Sequence, residues 1–174
     1  HGVVGLEHAA MAIYNAWCDH APVIVIGGGG PMDVTKRRTS VIWNHTALVQ
    51  GNLVRDFVKW DDQPYGSASV VESFIRGYRL ATAKPQGPVY ICLDSDWQEG
   101  PLEDGINLPP LKGQLESTLP APEFAAIEEA ANWLAKAAFP LIIAGRYGPD
   151  EAAVNSLVEL SDLTATPVID LGRR

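Results

Sequence analysis

Residues 88–93 read Pro-Val-Tyr-Ile-Cys-Leu, a short apolar run opened by a proline and closed by Asp94. Proline cannot donate to a sheet's hydrogen-bond ladder but is tolerated at a strand's first position, so it marks where a strand begins. Three further runs share the form: residues 22–26 (PVIVI), 140–144 (PLIIA) and 167–170 (PVID). Their apolar residues run on continuously instead of alternating with polar ones, as in parallel strands covered on both faces.

Working outward, the segments between these runs carry helical periodicity. Leu6, Ala9, Ala10, Ile13 and Trp17 form one stripe, and Val70, Val71, Phe74, Ile75, Tyr78 and Ala81 a second. A third helix is expected from about Pro122 to Ala138, with Ile127, Ala131, Leu134 and Ala138 inward. A fourth follows Pro149, with Asp150 and Glu151 in its first turn and Val154, Leu157, Val158 and Ser161 buried. Helices alternating with parallel strands give an α/β fold, with parallel sheets flanked by helices in three layers.

Between Asp96 and Pro122 the periodicity fails, and Gly100, Pro101, Gly105, Pro109, Pro110, Gly113 and Pro120 crowd together. That density of breakers reads as a linker. The expected organisation is residues 1–95 as the rear of one domain, 96–121 as linker and 122–174 as the β-α-β-type opening of a second, with a boundary near residue 118. Both domains would be incomplete. The start at His1, with no Met and a helix already under way, suggests a piece of something longer.

The 174 residues are 47% hydrophobic and 20% charged, which suits a folded globular chain. Thirteen basic against 21 acidic residues leave a net charge of −8, which repels phosphate backbones and anionic lipid and argues against nucleic-acid and membrane partners. No apolar run reaches the ~20 residues of a bilayer span, and the first residues lack the basic and apolar regions of a signal peptide. Cys18 and Cys92 sit in apolar surroundings and are too few for a disulfide framework, so both are expected to be buried, reduced thiols of a cytoplasmic protein.

Several motifs invite chemistry. The tetraglycine at residues 27–30 follows a strand, where a phosphate-cradling loop belongs, but Met32 stands where a dinucleotide fingerprint needs glycine and no P-loop Lys-Ser/Thr follows. It is expected to be a strand-end turn. Gly145-Arg146-Tyr147-Gly148 lies between a strand and a helix, so its backbone N–H groups and Arg146 could face a diphosphate. The four histidines show no metal-ligand spacing, and no metal site is assigned. Asp61-Asp62 and Asp94-x-Asp96 read as loop carboxylates, Asp94 at a strand end where ligands often bind. A hydrolase elbow G-x-S-x-G is absent; residues 66–69 (GSAS) read as a helix cap around Ser69, and His45 could act as a base only beside a nucleophile.

The order of strings is more specific than any one of them. GLEHAAMAIYNAWCDHAPVIVIGG, VRDFVKWDDQP, a helix, GPVYICLDSDWQEGPL, the breaker-rich segment, IEEAANWLAKAAFPLIIAGRYG and LVELSDLTATPVID follow one another along the chain. Taken together the chain resembles the thiamine-diphosphate-dependent enzymes of the acetolactate synthase and benzoylformate decarboxylase group. The resemblance implies that residues 1–95 belong to a pyrimidine-binding domain and residues 122–174 to a central domain, which in some members holds FAD or ADP. His1-Gly2 would fall at the turn close to the aminopyrimidine. His45 and Thr46 would fall near a Phe-Gln pair lining the active site of acetolactate synthases, and Arg55 and Lys59 on a basic R-x-x-x-K stretch. Gly145, Arg146 and Gly148 would fall at the central domain's nucleotide turn.

The resemblance also implies what is missing. The family's catalytic glutamate lies upstream of the turn matched by His1-Gly2, and its Mg2+-diphosphate motif belongs to a C-terminal domain. Residues 103–107 (EDGIN) imitate that motif's composition at the wrong spacing. The expectation is therefore a fragment of an enzyme acting on 2-oxo acids by decarboxylation or acetolactate-type carboligation, inactive in that chemistry alone. No residue is assigned a certain catalytic role; His45, Thr46 and Lys59 are substrate-side candidates, and Gly2, Gly145, Arg146 and Gly148 cofactor candidates. Thiamine diphosphate with Mg2+ is the implied cofactor, a small 2-oxo acid the implied substrate and a homo-oligomer the implied assembly. Two other readings stay open: a non-catalytic nucleotide-binding or scaffolding module, and a free-standing esterase-like hydrolase using Ser67 or Ser69 with His45.

Overall fold

A computed structural model describes residues 1–37, 45–102, 105–106, 108–115, 119–147 and 150–172. The chain divides into two compact units, His1–Leu119 and Pro120–Arg174.

In the first unit, helix α1 (Val3–Asp19) leads into strand β1 (Ile24–Gly29), two short 3-10 turns (Gln50–Leu53 and Arg55–Phe57) lead into β2 (Trp60–Asp62), and α2 (Ser67–Thr82) leads into β3 (Val89–Asp94). The sheet is parallel in the order β1-β3-β2, with Ile24 and Trp60 both in register with Val89. β3 is central and buried along nearly its whole length, which explains its unbroken apolar run. Successive side chains on a strand point to opposite faces. Tyr90 and Cys92 pack with Leu6 and Ile13 of α1 and with Val54 and Val58. On the other face Val89 and Ile91 meet α2 at Gly77, where a Cβ would lie 3.3 Å from Ile91 Cδ1 and 3.5 Å from Val89 Cγ2. The absent side chain is what lets the helix lie close to the sheet.

The second unit contains α4 (Phe124–Lys136), β4 (Ile142–Ala144), α5 (Glu151–Thr164) and β5 (Val168–Asp170), a β-α-β arrangement with a two-stranded parallel sheet. Asp150 caps α5 by accepting from the Ala152 and Ala153 N–H groups at 3.1 and 3.4 Å. The described residues of this unit that are buried are Ala144 and Thr166, of which only Thr166 is fully so. Thr166 is fixed by polar links, its carbonyl accepting from Ser161 Oγ at 2.7 Å and its hydroxyl lying 2.7 Å from that of Thr164.

Several expectations need correction. The glycines at 27–29 lie inside β1, not in a turn after it, because neighbouring side chains occupy the space their own would fill. β2 was invisible in the sequence because its Trp-Asp-Asp is two-thirds acidic: Arg55 pairs with Asp61 through bonds of 2.8 and 2.6 Å, and Ser73 donates to Asp62. Across the start of the stretch read as linker, residues 95–99 form a short helix, α3 (Ser95–Glu99), started by Asp94, which accepts from the Asp96 N–H at 2.9 Å.

Cys18 is exposed and only Cys92 is buried; position 18 falls off the Leu6–Ile13 stripe of α1. Trp17 and Tyr78 are exposed too, and the buried line of α2 is Ser73, Gly77 and Ala81, small residues that allow close packing. Gly66, not Ser69, caps α2. α4 ends at Lys136, short of Ala138, and neither Ile127 on it nor Val158 on α5 is buried.

Candidate functional site

In parallel α/β sheets ligands bind beyond the carboxyl ends of the strands. At that end of β1 and β3 a cavity of about 300 Å³ is lined by His1, Gly2, Gly28, Gly29, Gly30, His45, Thr46, Ser95, Gln98 and Glu99.

Its floor is the glycine strand, and each glycine there has a reason. A Cβ on Gly27 would strike Tyr90 Oη, and one on Gly29 would lie 2.8 Å from Gln50 Nε2 and 3.3 Å from Cys92 Sγ. Gly30, at φ 78°, lies against the Asp94 carboxylate, and a positive φ is a conformation that glycine adopts without steric cost. Gly28 differs, having only Gln98 Nε2 at 3.2 Å and the His1 carbonyl at 3.9 Å from its Cβ position. The buried Gln50 amide donates to the Gly28 carbonyl at 2.8 Å and to Cys92 Sγ at 2.9 Å. Asp94 braces the rim by accepting from the Met32 N–H at 2.8 Å while capping α3.

The N-terminal segment closes one wall. Gly28 N–H donates to the His1 carbonyl at 2.9 Å and Val3 N–H to the His45 carbonyl at 3.0 Å. A side chain on Gly2 would collide with that same His45 carbonyl. The His1 and His45 rings stack with centroids 6.3 Å apart. Gln98 Nε2 donates to the Leu93 carbonyl at 2.9 Å. Ser95 Oγ is buried with no hydrogen-bond partner, although buried polar groups are almost always paired.

The structure thus brings together Gly2, His45 and Thr46. Lys59 lies at the opposite end of the sheet: its N–H donates to the Pro88 carbonyl and its ammonium to the Ala83 carbonyl at 2.6 Å, and burial pushes its pKa down. Arg55 is engaged with Asp61. In the second unit Gly145 and Arg146 follow β4 on an exposed turn, Arg146 at φ 58°. Gly148 lies outside the described residues, as do Glu103, Asp104 and Asn107 of the EDGIN stretch. Ser69 borders a different cavity, at the end of β2, which does not include His45. Among the described residues there is no group of three or more His, Cys, Asp or Glu placed to hold a metal ion. No described helix is long and apolar enough to cross a membrane.

Gln98 and Glu99 were missed because they fell in the stretch read as linker, and Ser95 because it stands at that stretch's edge. The signal was available: Asp94 before Ser-Asp-Trp-Gln-Glu is an N-cap with an acid in the first turn.

No family model matches the chain. It is 26% identical over 173 residues to benzoylformate decarboxylase of Pseudomonas aeruginosa, covering 96% of this chain and 30% of that protein. It is 27% identical over 173 residues to a protein of Methanocaldococcus jannaschii described as an acetolactate synthase large subunit, covering 94% and 27% respectively. The thiamine diphosphate-dependent 4-hydroxybenzoylformate decarboxylase of Rhodococcus jostii shares the fold, with a TM-score of 0.76 at 22% identity over 98% of this chain and 31% of that one. The chain is a relative of the thiamine-diphosphate-dependent enzymes. It spans about 30% of the length of the thiamine-diphosphate-dependent relatives it matches.

Proposed function

We propose that the chain is the pyrimidine-facing part, with the opening of a central domain, of a thiamine-diphosphate-dependent enzyme that decarboxylates or ligates 2-oxo acids. The observation that carries this reading is the orphaned Ser95 hydroxyl in the wall of the strand-end cavity. A buried hydroxyl left unpaired costs about 1–3 kcal/mol, which a bound polar group recovers. The other walls suit a flat, neutral, nitrogen-rich ring: glycine backbone at Gly28, the imidazoles of His1 and His45 and the Gln98 amide.

The residues fit one end of the cofactor and not the other. No lysine or arginine among the described residues lines the cavity, and Glu99 adds negative charge. A diphosphate needs cationic or free helix-terminal donors, and at the α1 start, which borders the cavity at Gly2, the Val3 N–H is already spent on the His45 carbonyl. In this reading the chain holds the aminopyrimidine, and the diphosphate with Mg2+ is held by parts of the enzyme outside these 174 residues. Bound thiamine diphosphate supplies carbanion stabilisation, the part of 2-oxo acid chemistry that no side chain performs. Ser95 and Gln98 orient the ring, His45 and Thr46 border the space left for substrate, and Lys59 takes no part. The working enzyme is a cytoplasmic homo-oligomer with its site between subunits.

The test is product release. With pyruvate or benzoylformate, thiamine diphosphate and Mg2+, the 174-residue chain is expected to release no carbon dioxide, acetolactate or benzaldehyde above the protein-free rate. Turnover by the purified chain would overturn the division of labour proposed here. FAD or ADP at Gly145 and Arg146 is a separate proposal, resting on their place between β4 and α5, and is tested by titrating either nucleotide against the chain and its Arg146→Ala variant.

A further inference from the structure

A second cavity, of about 260 Å³, opens at the carboxyl end of β2 beside α2, and the thiamine reading makes no use of it. Its walls include Trp60, Asp62, Pro64, Tyr65, Glu72 and Arg76, so two carboxylates and one guanidinium border it, with Ser73 beside Asp62. Buried Ser73 donates to Asp62 Oδ2, which fixes the carboxylate and leaves its other oxygen open. The Arg76 guanidinium lies 5.8 Å from the centre of the Trp60 ring.

What singles out Arg76 is the partner it declines. Glu72 stands four residues ahead of it on the same helix, the favourable order for an intrahelical ion pair. Among the described residues neither Glu72 nor any other carboxylate pairs with Arg76; its guanidinium stacks on the indole at the cavity wall instead. The Asp62 carboxylate held by Ser73, the exposed Glu72 carboxylate and the exposed Arg76 guanidinium, unpaired with one another among the described residues, therefore border one small space. Tyr65 stands at its rim, 82% exposed.

We propose that this cavity binds a free α-amino acid with an apolar side chain. The ligand's ammonium meets the open oxygen of Asp62, its carboxylate meets Arg76 in a forked pair, and its side chain lies against Tyr65 and Pro64. Ser73, which holds the Asp62 carboxylate, and Arg76 are one turn apart on α2, about 5–6 Å between Cβ atoms. Both charged groups border the same small cavity, as the two charged ends of one small ligand require. The volume, just below the ~300–1,000 Å³ of common small-molecule sites, suits a single amino acid.

The probe is L-phenylalanine, titrated into the full chain and followed by calorimetry, with 3-phenylpropanoate (no amine) and 2-phenylethylamine (no carboxylate) as controls. Saturable binding of phenylalanine is expected, at least about tenfold tighter than of either control. Asp62→Asn and Arg76→Gln should each weaken it about tenfold or more while the controls stay weak. Tyr65→Ala keeps the test clean, since so exposed a side chain can be removed without unfolding the chain; it should weaken phenylalanine about threefold or more. Absence of saturable binding up to about 10 mM, equal binding of a singly charged control, or binding that survives both charge variants would each overturn the proposal. The thiamine cavity lies elsewhere on the sheet and is read by different shifts, so failure here leaves that reading untouched.

Discussion

The two units use the same β-α-β grammar and reach different states of burial. β3 of the first unit has a strand on each side, α1 on one face and α2 on the other, and is almost fully withdrawn from solvent. In the second unit β4 and β5 pair only with each other among the described residues, and the paired Ile143 and Ile169 remain 63% and 47% exposed. Two strands with short ladders are marginal, whereas three or more with a covered face hold a core. A prolyl-apolar run specifies a strand equally well in both places, but protection from water depends on how many neighbours the chain supplies.

The largest predicted effect comes from emptying the covered strand. Ile91→Ala should destabilise the first unit by about 2–5 kcal/mol in urea unfolding, while Ile169→Ala should change stability by under about 0.5 kcal/mol. Equal losses would end the comparison. Filling the glycine strand comes next: Gly29→Ala should cost about 1–3 kcal/mol by overpacking against Gln50 and Cys92. Tyr90→Phe sharpens the point in the other direction. The buried Tyr90 hydroxyl has the weak acceptor Cys92 Sγ as its neighbour and no good hydrogen bond among the described residues, so its removal should change stability by under about 1 kcal/mol.

The cysteines give a chemical readout of the same contrast. Cys92 is buried and its thiol pKa is pushed up, chiefly by burial, whereas Cys18 is exposed. Iodoacetamide at neutral pH should modify Cys18 at least about a hundredfold faster, with Cys92 reacting only as the unit opens. Burial raises the Tyr90 hydroxyl as well. Groups with raised folded pKa values ionise first in the unfolded chain, so Cys92 and Tyr90 each lower stability as pH rises above about pH 8–9, while Lys59, whose folded pKa is depressed, works the other way. The loss of stability above about pH 9 should therefore be smaller in Cys92→Ala than in the parent chain, and an unchanged loss would contradict the burial of that thiol.

The smallest effect belongs to the forked Arg55–Asp61 pair, whose arginine is half exposed. Arg55→Gln should cost about 0–1 kcal/mol and less in high salt.

Prolines at 22, 88, 140 and 167 made four strands legible within about two residues at their starts, because proline's missing donor is a local property. β2 was hidden because the acids of Trp-Asp-Asp are satisfied by Arg55 and Ser73, one of them distant in sequence. The glycines at 27–29 looked like a turn because the Tyr90, Cys92 and Gln50 side chains that require them arrive from elsewhere in the chain. In the site, Gly2, His45 and Thr46 could be placed only by resemblance, since nothing local marks them. Lys59 sits at the opposite end of the sheet from the cavity, beside Pro88 and Ala83; the resemblance supplies a position along the chain, while strand direction decides which end of the sheet it occupies. Ser95 and Gln98 needed recognition of one N-cap, at Asp94.

The central claim is that the strand-end cavity takes the neutral ring of the cofactor and supplies no anchor for its diphosphate. It is tested most directly by titrating the labelled chain with thiamine and with thiamine diphosphate plus Mg2+, following the amide shifts of Gly28, Gly29, Gly30 and Ser95. The account predicts the same residues shifting with both ligands, affinities within about threefold of each other, and about a tenfold loss for both on Ser95→Ala. Thiamine diphosphate binding a hundredfold or more tighter than thiamine, about 2.7 kcal/mol, or shifts that leave Gly28 and Ser95 unmoved, would contradict it.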